Sequence, residues 1–530
     1  MISKPSPRHI ARAATIVMLF FVISRVLGLI RDIVISHQFG TSRMLDAYFA
    51  AFNVPDFIFN IVAGGALGSA FIPTFAAALA SNDERQAWRL ASSIITAAIV
   101  FLAALSVGIA IFALPIVSAT VARGFTAQEQ QLTADLMRWM LITPIVFGVS
   151  GILMGMLNSY QHFALPALAP VLYNASITLG ALFLAPAMGV YGLVVGVVVG
   201  AVLHLAVQVP WLIRKRLEIG DWRLVENVQS LISNLRSPDV LEVGRLMLPR
   251  TLGIAAVQIN FLVNTILAST LPSGRIAALS YAWRLMLLPV GIVGQSLATA
   301  VFPSLSEQSA RNDLGDFRRT FSMAFRATLY LTIPATVGLF ILGKPFVALL
   351  FQRGEFDAQS TVETAWALQF FSVALFAHSG LEIVTRAFYA MHDTATPVIV
   401  GVAAMALNIV LSLVLIAPLA QGGLALANSI ATILEVVILL VILHRRMGDI
   451  DQRQILVSVA RIVIAASAMS LFLVPFANYF ESSNAVFVAL VGGLLSAVIY
   501  LGVTLLLRSD ETAFFMRRLM RKSEIRNQQS

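Results

Sequence analysis

The chain has 530 residues, of which 58% are hydrophobic and only 12% charged, with a net charge of +9 and no cysteine. Soluble domains are about 45–50% apolar and about 25% charged. The composition therefore excludes a soluble globular protein, and the missing cysteines exclude disulfides and thiolate metal sites. Such a charge would suggest nucleic acid in a soluble chain; here it follows from basic residues gathered on one side of a membrane, and no nucleic-acid partner is expected.

The N-terminus, Lys4, Arg8 and Arg12 followed by apolar residues, has the outline of a signal peptide. No small-residue cleavage site follows, and SRVLGLIRD (24–32) interrupts the run, so a retained first helix is expected. Apolar segments long enough to span a bilayer fall near 13–36, 44–66, 91–114, 131–157, 165–186 and 188–213. Residues 214–244 follow as a cytoplasmic linker in which Trp222, Leu224, Val225, Val228, Leu231, Ile232 and Leu235 recur at helical spacing, the pattern of an interfacial helix. Further segments lie near 245–271, 276–303, 320–343, 361–391, 396–418 and 422–443, and two more near 455–477 and 484–508. A basic tail, 509–530, closes the chain. Pro55, Pro73, Gly64, Gly65 and Gly68 make the second span discontinuous.

Loop charges test this count. One side carries 22 basic residues, among them Arg85, Arg89, Arg214, Lys215, Arg216, Arg445 and Arg446; the other holds five, Arg43, Arg123, Arg275, Lys344 and Arg353. A missed span would scramble that asymmetry, so both termini are expected in the cytoplasm. The chain also repeats at an offset of 230: AFIPTF (70–75) returns as AVFPSL (300–305), and Arg123-Gly124 returns as Arg353-Gly354. An even number of spans per repeat gives both halves one orientation. The expected fold is all-α and polytopic, with about 14 transmembrane helices. Two parallel six-helix repeats, 1–213 and 245–443, surround a central cationic cavity, and two extra helices, 455–508, are appended.

Three arginines sit inside spans: Arg25 and Arg31 in the first and Arg284 in the eighth. Each costs roughly 2.5–3.5 kcal/mol at a helix centre. Together, uncompensated, they would cost on the order of 8–10 kcal/mol, comparable to a whole domain's stability. They are expected to face a wet cavity or an anion. Arg25 and Asp32 share a helical stripe separated by roughly 10.5 Å of rise; Ser24 and Arg31 make a neighbouring stripe, and Asp46 opens the second span. Arg25–Asp32 and Arg31–Asp46 ion pairs are the plain structural alternative, which leaves Arg284 without an acid in its own span. Guanidinium forks match phosphate and keep their charge when partly dehydrated, which favours a pyrophosphate-linked substrate. Arg25, Arg31 and Arg284 are the expected substrate-binding residues, with Ser24, Asp32 and Asp46 supporting or gating.

Other features carry less. Glu382 and Arg386 form a helical pair, Asp135 and Arg138 another. Gly192, Gly196 and Gly200 make a small-residue face for helix packing. Asp56 and Glu435 lie within spans and admit either ion coupling or a buried pair. The seven histidines show no zinc-ligand spacing. A multidrug or cation antiporter predicts acids, not arginines, in the cavity. A membrane enzyme, such as a polyprenyl-phosphate transferase or phosphatase, needs clustered carboxylates or a His/Asp pair at the cytoplasmic surface, and none is found.

SRVLGLIRD, LDAYFAAFNVP, GGALGSAFIPTF, AALSYAWRLMLLP and RAFYAMHDTATPV resemble the MurJ (MviN) family of lipid II flippases, of the multidrug/oligosaccharidyl-lipid/polysaccharide exporter superfamily. The likeness runs over nearly the whole chain. It implies a non-enzymatic transporter of the bacterial inner membrane. Its cargo would be undecaprenyl-pyrophosphate-linked disaccharide-pentapeptide (lipid II), moved to the periplasmic leaflet for peptidoglycan synthesis and cell shape. Ser24, Arg25, Arg31, Asp32, Asp46 and Arg284 match positions important in the family, and a lipid-tail groove is implied at 455–508. No cofactor is implied; sodium, protons or the membrane potential are admissible driving forces, and the cell-wall synthesis machinery is an expected partner. The chain departs from the family at Phe59 and Gly64, where a basic residue and a glutamate are usual, and at Asn264 and Ser412, where acids occur in relatives. The last two bear on a cation site that the resemblance implies between spans seven, eleven and twelve. The departures together keep a divergent paralogue with another polyprenyl-linked oligosaccharide open as an alternative.

Overall fold

A computed structural model describes residues 7–61, 68–81, 83–219, 238–481 and 483–512. Within them the regular elements are helical, and the backbone divides into two compact units, 1–276 with 353–356, and 277–352 with 357–530. Gly64, Gly65, most of the interfacial linker and the tail from 513 onward lie outside the described residues.

The first unit holds α1 (Pro7–Phe39), α2 (Arg43–Phe59), α3 (Gly68–Ala80), α4 (Glu84–Ile111), α5 (Ala113–Ala119) and α6 (Ala127–Met140). It continues with α7 (Ile142–Ser159), α8 (Ala164–Leu179), α9 (Ala185–Met188), α10 (Val190–Ala206), α11 (Val209–Ile219) and α12 (Pro238–Ser269). Helix starts follow capping chemistry: Ser42 accepts from the Leu45 amide at α2, and Thr126 and Glu129 form a reciprocal capping box at α6. α1 packs on α8, α2 on α6 and α7, and α8 on α10. The last packing is the close one. A Cβ on Gly192 would lie 2.5 Å from the Ala185 amide nitrogen, and one on Gly196 2.9 Å from the Ser176 carbonyl oxygen. The small-residue face is thus an interhelical contact. A π-helical turn, Gly180–Leu184, joins α8 to α9.

The second unit holds α13 (Arg275–Pro289), which begins at the end of the first unit, then α14 (Ser296–Ala310), α15 (Leu314–Phe351), α16 (Ala358–Ser372) and α17 (Leu375–Ala390). It ends with α18 (Ala395–Leu419), α19 (Gln421–Met447), α20 (Gln452–Tyr479) and α21 (Ala485–Leu506). α15 is its spine: Phe317, Phe321, Phe325 and Leu329 pack with Ile383, Phe388, Leu439, Ile462 and Met469 from α17, α19 and α20. The last two helices therefore dock on α15 through this core and a smaller one of Leu342, Leu473 and Val488.

Ten helical stretches among the described residues are long and apolar enough to cross a membrane, or eleven if α16 and α17, bent by 44°, form one span. Large apolar side chains stand on the outside: Phe183, Leu471 and Leu506 are 71%, 77% and 83% exposed. In water such a surface would aggregate; against lipid it is the solvated face. The chain is a multi-pass membrane protein.

Candidate functional site

Arg31 is held in part by a residue that periodicity and charge did not single out. Arg31 donates from Nε and Nη2 to Asp32 Oδ1, at 3.1 and 2.9 Å, and from Nη1 to Asn174 Oδ1 at 3.0 Å. The amide end of Asn174, on α8, in turn donates to Ser24 Oγ at 3.3 Å and to the Pro170 carbonyl at 3.1 Å. Asn174 thus joins the Ser24 and Arg31 stripe through a second helix. A single asparagine in the run LPALAPVLYNASITL was its only trace in the sequence. A Cβ on Gly28 would sit 3.9 Å from Asn174 Oδ1, an ordinary van der Waals contact, so the network does not depend on this glycine.

Arg31 is 19% exposed and Asp32 7% along their side chains, so the pair is largely shielded. Arg25 is different. It is exposed, and its guanidinium lies 5.2 Å from the Phe21 ring centre. The structure brings Arg31, Asp32 and Ser24 into one network and leaves Arg25 exposed on the same helix.

Asp46 lies elsewhere. It is fully buried, and its Oδ2 accepts from the Gly274 amide at 2.6 Å, with Arg43 Nη1 at 3.7 Å. Arg43 also reaches Glu129 at 3.5 Å and stacks 4.6 Å from the Phe125 ring centre. The carboxylate pins the loop after α12 to the start of α2, where Gly274, at φ +88°, lies too close to the Thr41 carbonyl for any Cβ. In the second unit, Arg284 is half-buried on α13 beside the buried Leu285 and Met286. Its neighbour Trp283 stacks edge-on with Phe371 and His378, with ring centres 5.2 and 5.5 Å apart.

The departure positions have clear placements. Phe59 stacks on Phe147, which also contacts Tyr173 and His204, at 5.2–5.3 Å between centres. An aromatic cluster thus surrounds the Phe59 position. Asn264 is half-buried on α12, and Asn408 and Ser412 are buried on α18. Among the described residues no group of three or more His, Cys, Asp or Glu could hold a metal ion.

Set beside known proteins, residues 35–494 match the family model described as "Lipid II flippase MurJ". This chain belongs to the MurJ family. Lipid II flippase MurJ of Burkholderia cenocepacia is 30% identical over 442 residues, 83% of this chain and 84% of that one. A probable lipid II flippase MurJ of Buchnera aphidicola subsp. Schizaphis graminum is 29% identical over 520 residues, 95% and 99% of the two chains. Among solved structures, "Lipid II flippase MurJ, inward closed conformation" superposes with a TM-score of 0.77 at 26% identity, covering 95% of this chain and 100% of that one. An inward-facing multidrug resistance MATE transporter of the MOP superfamily, 17% identical, shares the fold with a TM-score of 0.66, over 82% of this chain and 99% of that one. MurJ membership points to transport, not catalysis.

Proposed function

We propose that this MurJ family member is a flippase for undecaprenyl-pyrophosphate-linked muropeptide, lipid II, carrying it from the cytoplasmic to the periplasmic leaflet of the bacterial inner membrane by alternating access. The observation that carries the reading is the Arg31 network. A guanidinium inside a span is aimed by Asp32 and by Asn174, itself tied to Ser24, while Arg25 on the same helix stays exposed. Arg25, Arg31 and Arg284 are the proposed substrate-binding residues, with Ser24, Asp32 and Asp46 positioning or gating. Fork-shaped donors suit phosphate oxygens. Release requires that they not all engage equally in every state.

Fourteen spans follow if α1, α2 with α3, and α12 are added to the eleven apolar stretches. A two-fold repeat is supported by a reciprocal contact inside the first unit. Gly124 lies against the Ser269 carbonyl at the end of α12, and Gly354, its counterpart 230 residues on, lies against the His37 carbonyl near the end of α1. Each repeat's loop thus abuts the first helix of the other. Both termini are placed in the cytoplasm by the loop charges, the extra helices are proposed to carry the lipid-tail groove, and the cell-wall synthesis machinery is the proposed partner. A coupling cation or the membrane potential drives the cycle; one charge moved through 100 mV supplies about 2.3 kcal/mol.

The aromatic cluster at Phe59 favours one second reading, a paralogue exporting a different polyprenyl-linked oligosaccharide. Arg25→Ala, Arg31→Ala and Arg284→Ala should each lower lipid II translocation in proteoliposomes at least about tenfold, or about 1.4 kcal/mol, with insertion intact. Normal translocation by all three would sink the assignment. Complementation of a strain depleted of its own lipid II flippase separates the two readings: rescue supports lipid II, and failure with proper insertion supports the paralogue.

A further inference from the structure

Glu435 lies on α19, far from the first-span network in sequence and in the other unit. α18 and α19 form an antiparallel hairpin about Ala420, which turns at φ +50°. Glu435 is 15 residues past that turn, about 22 Å along the helix, and about 15 Å short of the basic end at Arg445 and Arg446. In a hydrocarbon layer about 30 Å thick, that is well inside. A glutamate side chain cannot reach either interface from there.

Among the described residues, no hydrogen bond or ion pair is made by its carboxylate. The buried-pair alternative is therefore not what the described residues show. Gly401 of the neighbouring helix faces Glu435. A Cβ built on Gly401 of α18 would lie 3.2 Å from Glu435 Oε1, a tight contact, so the glycine leaves the carboxylate room.

The surrounding charges are few. α18 contributes no titratable residue. α17 brings Glu382 and Arg386, paired with each other at 2.5 Å, Tyr389, and His378. α16 brings Glu363, held by Gln421 at the hairpin turn. On α19 itself, Asn428, Thr432 and Glu435 follow at i, i+4 and i+7 and share one stripe. His378 Nε2 meets Asn428 Oδ1 at 3.1 Å and Thr432 Oγ1 at 3.5 Å. A file of polar groups thus leads along α19 to a carboxyl that ends it unpaired. An ionised carboxylate in such a setting is strongly disfavoured, and uptake of one proton removes the charge.

We propose that Glu435, seated against Gly401, is a proton-binding site through which proton uptake and release act on the α18–α19 hairpin during transport. The step is a single protonation: the carboxylate takes a proton when water reaches the hairpin from one side and yields it when water reaches from the other. The proposal rests on the transport reading for its purpose but not for its chemistry.

Infrared difference spectra of the full-length protein reconstituted in lipid, titrated between about pH 5 and 9, read the carboxyl directly. The expected result is a protonated-carboxyl band that titrates in the wild type, disappears in Glu435→Gln and shifts in Gly401→Ala, which crowds the group while keeping it. In proteoliposomes with the membrane potential clamped, a gradient of about two pH units should stimulate the wild type at least about tenfold more than Glu435→Gln. A spectrum with no titrating carboxyl that Glu435→Gln removes overturns the site. Equal stimulation of wild type and a folded Glu435→Gln overturns its coupling role. A titrating band in protein that moves no lipid-linked muropeptide sinks the flippase reading and leaves the proton site standing.

Discussion

An arginine inside a membrane span needs something to accept its hydrogens, and the choice of acceptor decides what it can do. Arg31 has a carboxylate beside it in sequence and an amide from α8. The first was legible as charge in SRVLGLIRD. The second was not, because one neutral asparagine barely changes the apolar character of its span. Asp46 shows the same limit from the other side. Sequence spacing allowed it to pair with Arg31, yet it accepts from the Gly274 amide, a partner 228 positions away that no local pattern announces. Asn174→Ala would leave Arg31 on Asp32 alone and release Ser24. Each hydrogen bond lost is worth about 0.5–1.5 kcal/mol, so translocation in proteoliposomes should fall roughly twofold to tenfold with normal insertion. An unchanged rate would show that Arg31 does not depend on α8 for its aim.

At the scale of whole helices, much could be read in advance. Apolar length marked most spans, and Gly196 and Gly192 marked the contacts of α10 with α8 and with the start of α9. The π-helical turns at Gly180–Leu184 and Val290–Gln295 could not be read, because nothing in composition distinguishes an inserted residue from a regular turn. The start of α18 gives a testable case outside the membrane. Asp393 accepts from the Thr396 amide at 2.9 Å and its hydroxyl at 2.6 Å, and it pairs with Arg446 of α19. Burial works to raise this carboxyl, but the Thr396 bonds and Arg446 outweigh it and hold it below the ordinary carboxylate value. A group depressed on folding contributes stability that is fully present above its unfolded value, about 3.9, and lost as pH falls through the folded one. The thermal midpoint of the detergent-solubilised protein should therefore drop below about pH 4. Asp393→Asn should start lower at neutral pH and lose less on acidification. Parallel pH curves for the two proteins would count against the cap.

For the molecule as a whole, the internal repeat and the packing boundary are different things. The repeat opens its second half near 245, whereas residues up to 276 pack within the first unit. The reason is the loop contacts: Gly124 against Ser269, and Asp46 on Gly274, draw the end of α12 onto the first helices. Orientation is the global property that loop charge alone addresses, and it can be tested because the chain has no cysteine of its own. Ser81 and Ser273 are both exposed and lie in loops. Between them run α4, α6 with α7, α8 with α9, α10 with α11, and α12. If these are five spans, an odd number, the two serines stand on opposite sides. Ser273→Cys in intact spheroplasts should react with a membrane-impermeant thiol reagent, and Ser81→Cys only after lysis. Labelling of both in intact cells would mean that one of the five does not cross, and the reverse pattern would turn the whole protein over. Either result would also undo the direction of transport, because the side from which Arg25 and Arg31 first meet a diphosphate is set by the same count.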